Sequence, residues 1–265
     1  MSQKTLLNYC QEILEKGSVL SMERGTPIVG AMPFAQIKGN AYSFNVIDTL
    51  IPTNHRELGE DVIASEIEPK KVVKTLSILT NSVKVDRALG VMSDITDIKA
   101  EQQVIAMISS GKALEKFVIT ELKNYLDSDT AGKKFSGALT TDLLDDCVDY
   151  CEPNMIFVSN ASHRALKKLL KEEGQQPETR ENFGKRVIAY NGVPVYVSHD
   201  LEDNQVLMVR FSEDGVHGIT NQGLKVYESI QGVFNVSDTE LLYNVVCKTK
   251  NSFGLIEIGA KARTR

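Results

Sequence analysis

The chain has 265 residues, 42% apolar and 25% charged, with a net charge of −5 and a pI near 5.5. That length holds one elaborate domain or two modest ones with a sizeable core, while the acidic balance argues against a protein that grips phosphate backbones with many Lys and Arg. No stretch approaches the roughly 20 apolar residues of a membrane span, and MSQKTLLNYCQEILEKG lacks the basic start and apolar run of a signal peptide, so a soluble cytoplasmic protein with no membrane partner is expected.

Residues 4–16 read as a helix with Leu6, Leu7, Ile13 and Leu14 to bury. The segment after it, with Gly17, Gly25, Pro27, Gly30 and Pro33, has too little periodicity for a core of its own and reads as an arm lying on something else. AYSFNVIDTLI at 41–51 is strand-like, and a second apolar stretch begins at Val62, which gives a long hairpin with an irregular tip. That tip sets Glu57, Glu60, Asp61, Glu66 and Glu68 against the single Arg56. A loop of such length inside a compact chain is usually functional or disordered. Residues 72–91 alternate well enough to read as sheet throughout.

The chain is then organised around one long helix, 97–126, with Asp97 as its cap. Val104, Ile105, Ile108, Leu114, Phe117, Val118, Leu122 and Tyr125 make its apolar face, and Lys99, Gln103, Ser110, Lys116, Thr120 and Lys123 its polar one. At 1.5 Å per residue it spans roughly 40 Å, as a strut does. Ser109, Ser110 and Gly111 weaken its middle, the glycine alone by about 1 kcal/mol, and mark the expected bend.

Beyond Gly132 the texture becomes compact α/β. A helix over 142–151 leads to the strand 155–158, then to a helix capped by Ser162 and closed at Gly174. Asn191-Gly192 between RVIAY and VPVYVS is a two-residue hairpin signal. A strand over 206–211 reaches the turn Asp214-Gly215, and two strands around Lys250-Asn251-Ser252 are expected to return beside the long helix.

The order of arm, projecting hairpin, strands, strut helix, α/β insertion and closing strands resembles the major capsid proteins of tailed bacteriophages, with their Hong Kong 97-like α+β fold. The stretches that carry it are MPFAQIKGNAYSFN at 32–45, VKVDR at 83–87, the helix ending in YLDSD, NFGKRVIAYNGVPVYVSHDL at 182–201, VRFSEDGVHGITNQG at 209–223 and the closing YNVVCKTKNSFGLIEI. The resemblance implies an N-terminal arm (1–36), an extended E-loop (37–70), a peripheral domain (71–134, spine helix 97–126), an axial domain (135–220) and closing peripheral strands (221–265). It also implies a non-enzymatic subunit of an icosahedral head, assembled in the bacterial cytoplasm as pentamers and hexamers of itself. The other implied partners are a separate scaffolding protein, a portal, decoration proteins and packaged double-stranded DNA in weak, non-specific contact.

In some relatives an E-loop lysine forms a covalent bond to a neighbouring subunit; residues 52–68 contain no lysine here, and Lys70 and Lys71 lie at the base, so a non-covalent shell is expected. No cofactor or metal is expected either. Cys147 and Cys151, one helical turn apart with His163 and His199 downstream, lie on the face of Leu144 and Val148 and read as buried small hydrophobes rather than as metal ligands, and Cys10 and Cys247 complete a set too scattered for a disulfide framework. Nothing frames a nucleophile or a phosphate loop. Arg164, Lys167, Lys168 and Lys171 make one basic helical stripe, either a solvated face or a contact with acidic side chains of another subunit. Lys112, Lys116 and Lys123 are placed to face packaged DNA. Two alternatives remain, an encapsulin-type compartment and, more remotely, a soluble metal-dependent enzyme.

Overall fold

The computed structural model describes residues 4–46, 55–56, 58, 70–92, 98–172, 178–182 and 185–259. In chain order these form a 3-10 turn (Leu6–Tyr9), α1 (Ile13–Gly25), α2 (Ile28–Ala31), β1 (Phe34–Gln36), β2 (Ala41–Val46), β3 (Lys70–Thr75), β4 (Ser77–Asp86), α3 (Arg87–Met92) and α4 (Ile98–Asp127). There follow β5 (Lys133–Gly137), α5 (Thr141–Cys151), β6 (Met155–Val158), α6 (Asn160–Glu172), β7 (Glu178–Asn182), β8 (Lys185–Tyr190), β9 (Val193–Val197), β10 (Gln205–Val209), β11 (Val216–Gln231), β12 (Phe234–Cys247) and β13 (Phe253–Ile258). No described helix is long and apolar enough to cross a membrane.

The strands make a four-stranded sheet, β1-β11-β12-β4, a seven-stranded sheet, β5-β13-β10-β6-β9-β8-β7, and the ribbon β2-β3. The four-stranded sheet is built on the long β11–β12 hairpin, and α4 lies along it, burying Leu114, Val118, Leu122 and Tyr125 in one core with Leu241, Tyr243 and Val245 of β12. The rings of Phe117 and Tyr243 sit 4.9 Å apart in that contact.

In the seven-stranded sheet β6 and β10 are buried along their whole length, as the unbroken apolar runs MIFV and VLMV require of strands covered on both faces. One face holds Ile156, Val158, Val206, Met208 and Ile256 under Leu144 and Cys147 of α5 and Leu166 and Leu170 of α6. The other, with Phe157, Leu207 and Leu255, joins the main core. β8 and β9 turn at Asn191 (φ 46°) and Gly192 (φ 76°), the paired positive φ values that an Asn-Gly hairpin predicts.

Several expectations are corrected. The first helix starts at Ile13 rather than at residue 4, because the Glu15 carboxylate accepts the backbone N–H groups of Gln11 (2.9 Å) and Glu12 (3.2 Å), and it runs on through Gly17 to Gly25. Residues 87–91, expected as sheet, belong instead to α3, whose Ala88 N–H is held by the Asp86 carboxylate at 2.9 Å. α6 is capped by Ser159, whose hydroxyl accepts the Ser162 N–H at 3.1 Å, while Ser162 is inside the helix and bonds the Asp203 carbonyl. Finally, β13 does not return beside the long helix: it lies between β5, to which it is parallel, and β10, to which it is antiparallel. The predicted cap Asp97 and the predicted stop Gly174 lie outside the described residues.

Candidate subunit-contact surfaces

α1 crosses α4 with backbone against backbone. A Cβ on Gly25 would stand 2.3 Å from the Ile108 carbonyl oxygen, and one on Gly111 would stand 2.4 Å from that of Met22. Only glycines allow so close an approach. α4 is unbroken through Ser109, Ser110 and Gly111, the segment expected to bend, so Gly111 serves here as a docking point. Ser109 is exposed, whereas the Ser110 hydroxyl is buried, donating to the Ala106 carbonyl (3.1 Å) and accepting from Asn81 Nδ2 (3.2 Å), which also reaches that carbonyl at 3.0 Å.

This crossing also turns the N-terminal half of α4. Gln103, Met107, Ser110 and Gly111 face inward, while Ile105, expected in the apolar face, is 66% exposed. Beside them Ile13 is 90% exposed and borders a cavity of about 320 Å³ between α1 and α4 that Leu14, Val104 and Met107 also line.

The N-terminal segment is latched to the four-stranded sheet. Glu15, 2% exposed, receives Lys225 Nζ from β11 at 2.7 Å, and Tyr9 donates to the Phe34 carbonyl at 2.7 Å. Burial alone raises the Glu15 pKa, but Lys225 and the two backbone N–H groups outweigh it and hold the carboxyl below its ordinary value. Sequence reasoning passed over this pair, although the spacing of Glu12 and Glu15 is a helix-start signature.

The β2-β3 ribbon is anchored through β3. Lys74 of β3 meets Glu121 of α4 at 2.5 Å and lies 4.5 Å from the centre of the Tyr125 ring, and Lys70 donates to the Asp129 carbonyl at 3.2 Å. Asn244 of β12 donates to the Thr75 carbonyl at 2.5 Å. Of the expected acidic contact residues, Glu57, Glu60, Asp61, Glu66 and Glu68 lie outside the described residues, and Arg56 is exposed.

Arg164, Lys167, Lys168 and Lys171 are all exposed on α6, with Lys168 3.6 Å from Glu172. On α4, Lys112 and Lys116 are exposed, whereas Lys123 is half-buried with Glu202 at 3.6 Å. Cys10, Cys147, Cys151 and Cys247 are free and buried; the Cys151 thiol beside Cys147, together with burial, raises the Cys147 pKa, and burial pushes Cys247 up to about 12. Among the described residues no group of three or more His, Cys, Asp or Glu side chains is placed to hold a metal ion. His217 of β11 is 2% exposed, and burial brings its pKa down to about 4.

No protein-family model matches the chain, and no curated protein sequence matches it. Solved structures do. The encapsulin SrpI of Synechococcus elongatus PCC 7942, in its holo complex, aligns with a TM-score of 0.66 at 18% identity, over 91% of this chain and 90% of that chain. The virus-like particle of Pyrococcus furiosus aligns at 0.60 and 14% identity over 92% and 98%, and the capsid of cyanophage P-SCSP1u at 0.61 and 11% over 86% of each. The chain has the fold that its sequence resemblance predicted.

Proposed function

We propose that this chain, whose fold is the Hong Kong 97-like fold, is the major capsid protein of a tailed bacteriophage, a non-enzymatic subunit of an icosahedral shell around double-stranded DNA. The observation that carries the reading is the likeness to encapsulin, virus-like-particle and capsid chains over 86–92% of the length, with no comparable likeness of sequence. Residues 1–36 act as the arm, 37–70 as the E-loop, 71–134 and 221–265 as the peripheral domain and 135–220 as the axial domain. Pentamers and hexamers of the chain close the shell by non-covalent contacts, with a separate scaffolding protein, a portal and decoration proteins as partners. The exposed Ile13 and Ile105 support this, since each is a surface that another copy can cover.

The test is the mass of the purified chain by light scattering, with electron microscopy of the same fraction. Megadalton hollow particles are expected, and a chain that stays monomeric with its scaffold present overturns the reading. A second reading, an encapsulin-type compartment, is favoured by the TM-score of 0.66 to SrpI against 0.61 to the cyanophage capsid. Particles from the native source separate the two: nuclease-protected double-stranded DNA supports a phage head, and an enclosed enzyme supports a compartment.

A further inference from the structure

The two helices on one face of the seven-stranded sheet carry opposite charge. α5 has Asp142, Asp145, Asp146 and Asp149 and no basic residue. Asp145 is engaged by the Tyr190 hydroxyl (2.7 Å) and Asn191 Nδ2 (2.9 Å), while Asp142, Asp146 and Asp149, at spacings of four and three, are exposed with no ion pair among the described residues. On α6 the stripe Arg164, Lys167, Lys168 and Lys171 is exposed, and Lys168 alone of the four has an ion pair there. Each stripe covers seven residues' advance, roughly 10 Å.

A solvated helix face commonly mixes signs, because Glu-to-Lys pairs four apart stabilise it and like charges four apart destabilise it. Here Asp142 and Asp146 are like-charged four apart on α5, and so are Arg164 and Lys168, and Lys167 and Lys171, on α6. Each helix bears a small repulsion that an opposite stripe would relieve. α5 packs on β13, β10 and β5, and α6 on β6, so the stripes are displaced across the sheet and no ion pair joins them within the chain among the described residues.

We infer that Asp142, Asp146 and Asp149 of α5 dock against Arg164, Lys167 and Lys171 of α6 in a second copy of this chain, head to tail, so that each copy offers its acidic stripe to one neighbour and its basic stripe to the other. Such a heterologous contact closes into rings when its rotation allows. The inference rests on the shell reading and names the contact that makes copies into rings.

The experiment reverses one stripe at a time and measures association by sedimentation velocity and light scattering at about 0.1 M salt. Asp142→Lys/Asp146→Lys/Asp149→Lys is basic on both helices, and Arg164→Glu/Lys167→Glu/Lys171→Glu is acidic on both. Each alone is expected to lose association at least tenfold. Mixing the two restores association in even-numbered or open assemblies, where the copies can alternate, and combining all six substitutions in one chain restores it without that limit. Wild-type association is also expected to weaken towards about 1 M salt, where screening shortens to about 3 Å. The neutral variant Asp142→Asn/Asp146→Asn/Asp149→Asn, checked for an unchanged thermal melt, loses association without a reversal of charge. Single-stripe reversals that associate like wild type, or a mixture that stays apart, overturn the contact. Closed wild-type particles beside indifferent variants sink this contact alone, and a wild-type chain that never associates sinks the shell reading with it.

Discussion

Glu15 and Lys225, 210 residues apart in sequence, meet at 2.7 Å where α1 lies on β11, and the carboxylate is buried while the ammonium keeps a quarter of its side-chain surface. Removing the lysine leaves an uncompensated buried carboxylate, which is worse than removing both groups. Lys225→Ala is expected to cost about 2–4 kcal/mol in denaturant unfolding, towards the lower side of a fully buried pair because of that residual exposure. Glu15→Gln with Lys225→Ala should recover part of the loss, and strict additivity in the double-mutant cycle would remove the coupling.

The same pair fixes an acid limb. Glu15 has a folded pKa below its unfolded value, so its contribution is complete above the ordinary glutamate value of about 4.3 and is lost as pH falls through the lower folded value. Stability of Glu15→Gln followed from pH 5 downwards should therefore fall less steeply than that of wild type.

His217 acts in a higher window. Its folded pKa of about 4 lies below the unfolded value of about 6.5, so between the two the unfolded chain binds more protons and stability rises with pH. Falling from about pH 6.5 to about pH 4 should cost up to about 3 kcal/mol on that account. His217→Gln should flatten this part of the curve when measured by urea unfolding, and an unchanged slope would show that the imidazole is not the titrating group.

Helix propensity alone predicts that Gly111→Ala stabilises α4 by about 1 kcal/mol. The Met22 carbonyl, 2.4 Å from the new methyl, reverses that sign. Gly111→Ala is expected to lower the melting temperature and expose α1 to hydrogen exchange, and Gly25→Ala to do the same through Ile108. Gly17→Ala is the control: nothing lies within 4 Å of its Cβ position inside α1, so it should stabilise by about 0.5–1 kcal/mol.

All four thiols are buried, and the raised pKa values of Cys10, Cys147 and Cys247 keep their thiolate forms scarce. Aromatic-disulfide labelling of the native chain should be slow and should release four equivalents in denaturant. Rapid native labelling of Cys147 or Cys151 would show that α5 leaves its sheet.

Local chemistry was readable in the sequence wherever one segment sufficed. Residues 155–158 are as continuously apolar as a doubly covered strand must be, and Asn191-Gly192 supplies both positive φ values of its turn. The order of segments was enough for the fold. What escaped depends on remote partners. Ile105 reads as core and Gln103 as surface until α1 is known to lie on Gly111, and β13 finds its place only through β5 and β10. The basic stripe on α6 was legible from periodicity, while the acidic residues of α5 are spread among residues that also cap, pack and bond, and so read as an ordinary polar face.

The interior position of β13, one strand in from the edge, governs when the seven-stranded sheet can be completed during synthesis. β5 leaves the ribosome early and is parallel to a strand that spans Phe253–Ile258, so on a growing chain it waits unpaired on that edge until those residues emerge. β1 waits likewise for β11. Nascent chains are crowded on a polysome, and domains that finish early are free to bind one another there. Because β13 is the last of the described strands in chain order and lies between β5 and β10, the topology defers completion of the seven-stranded sheet until residues 253–258 have emerged.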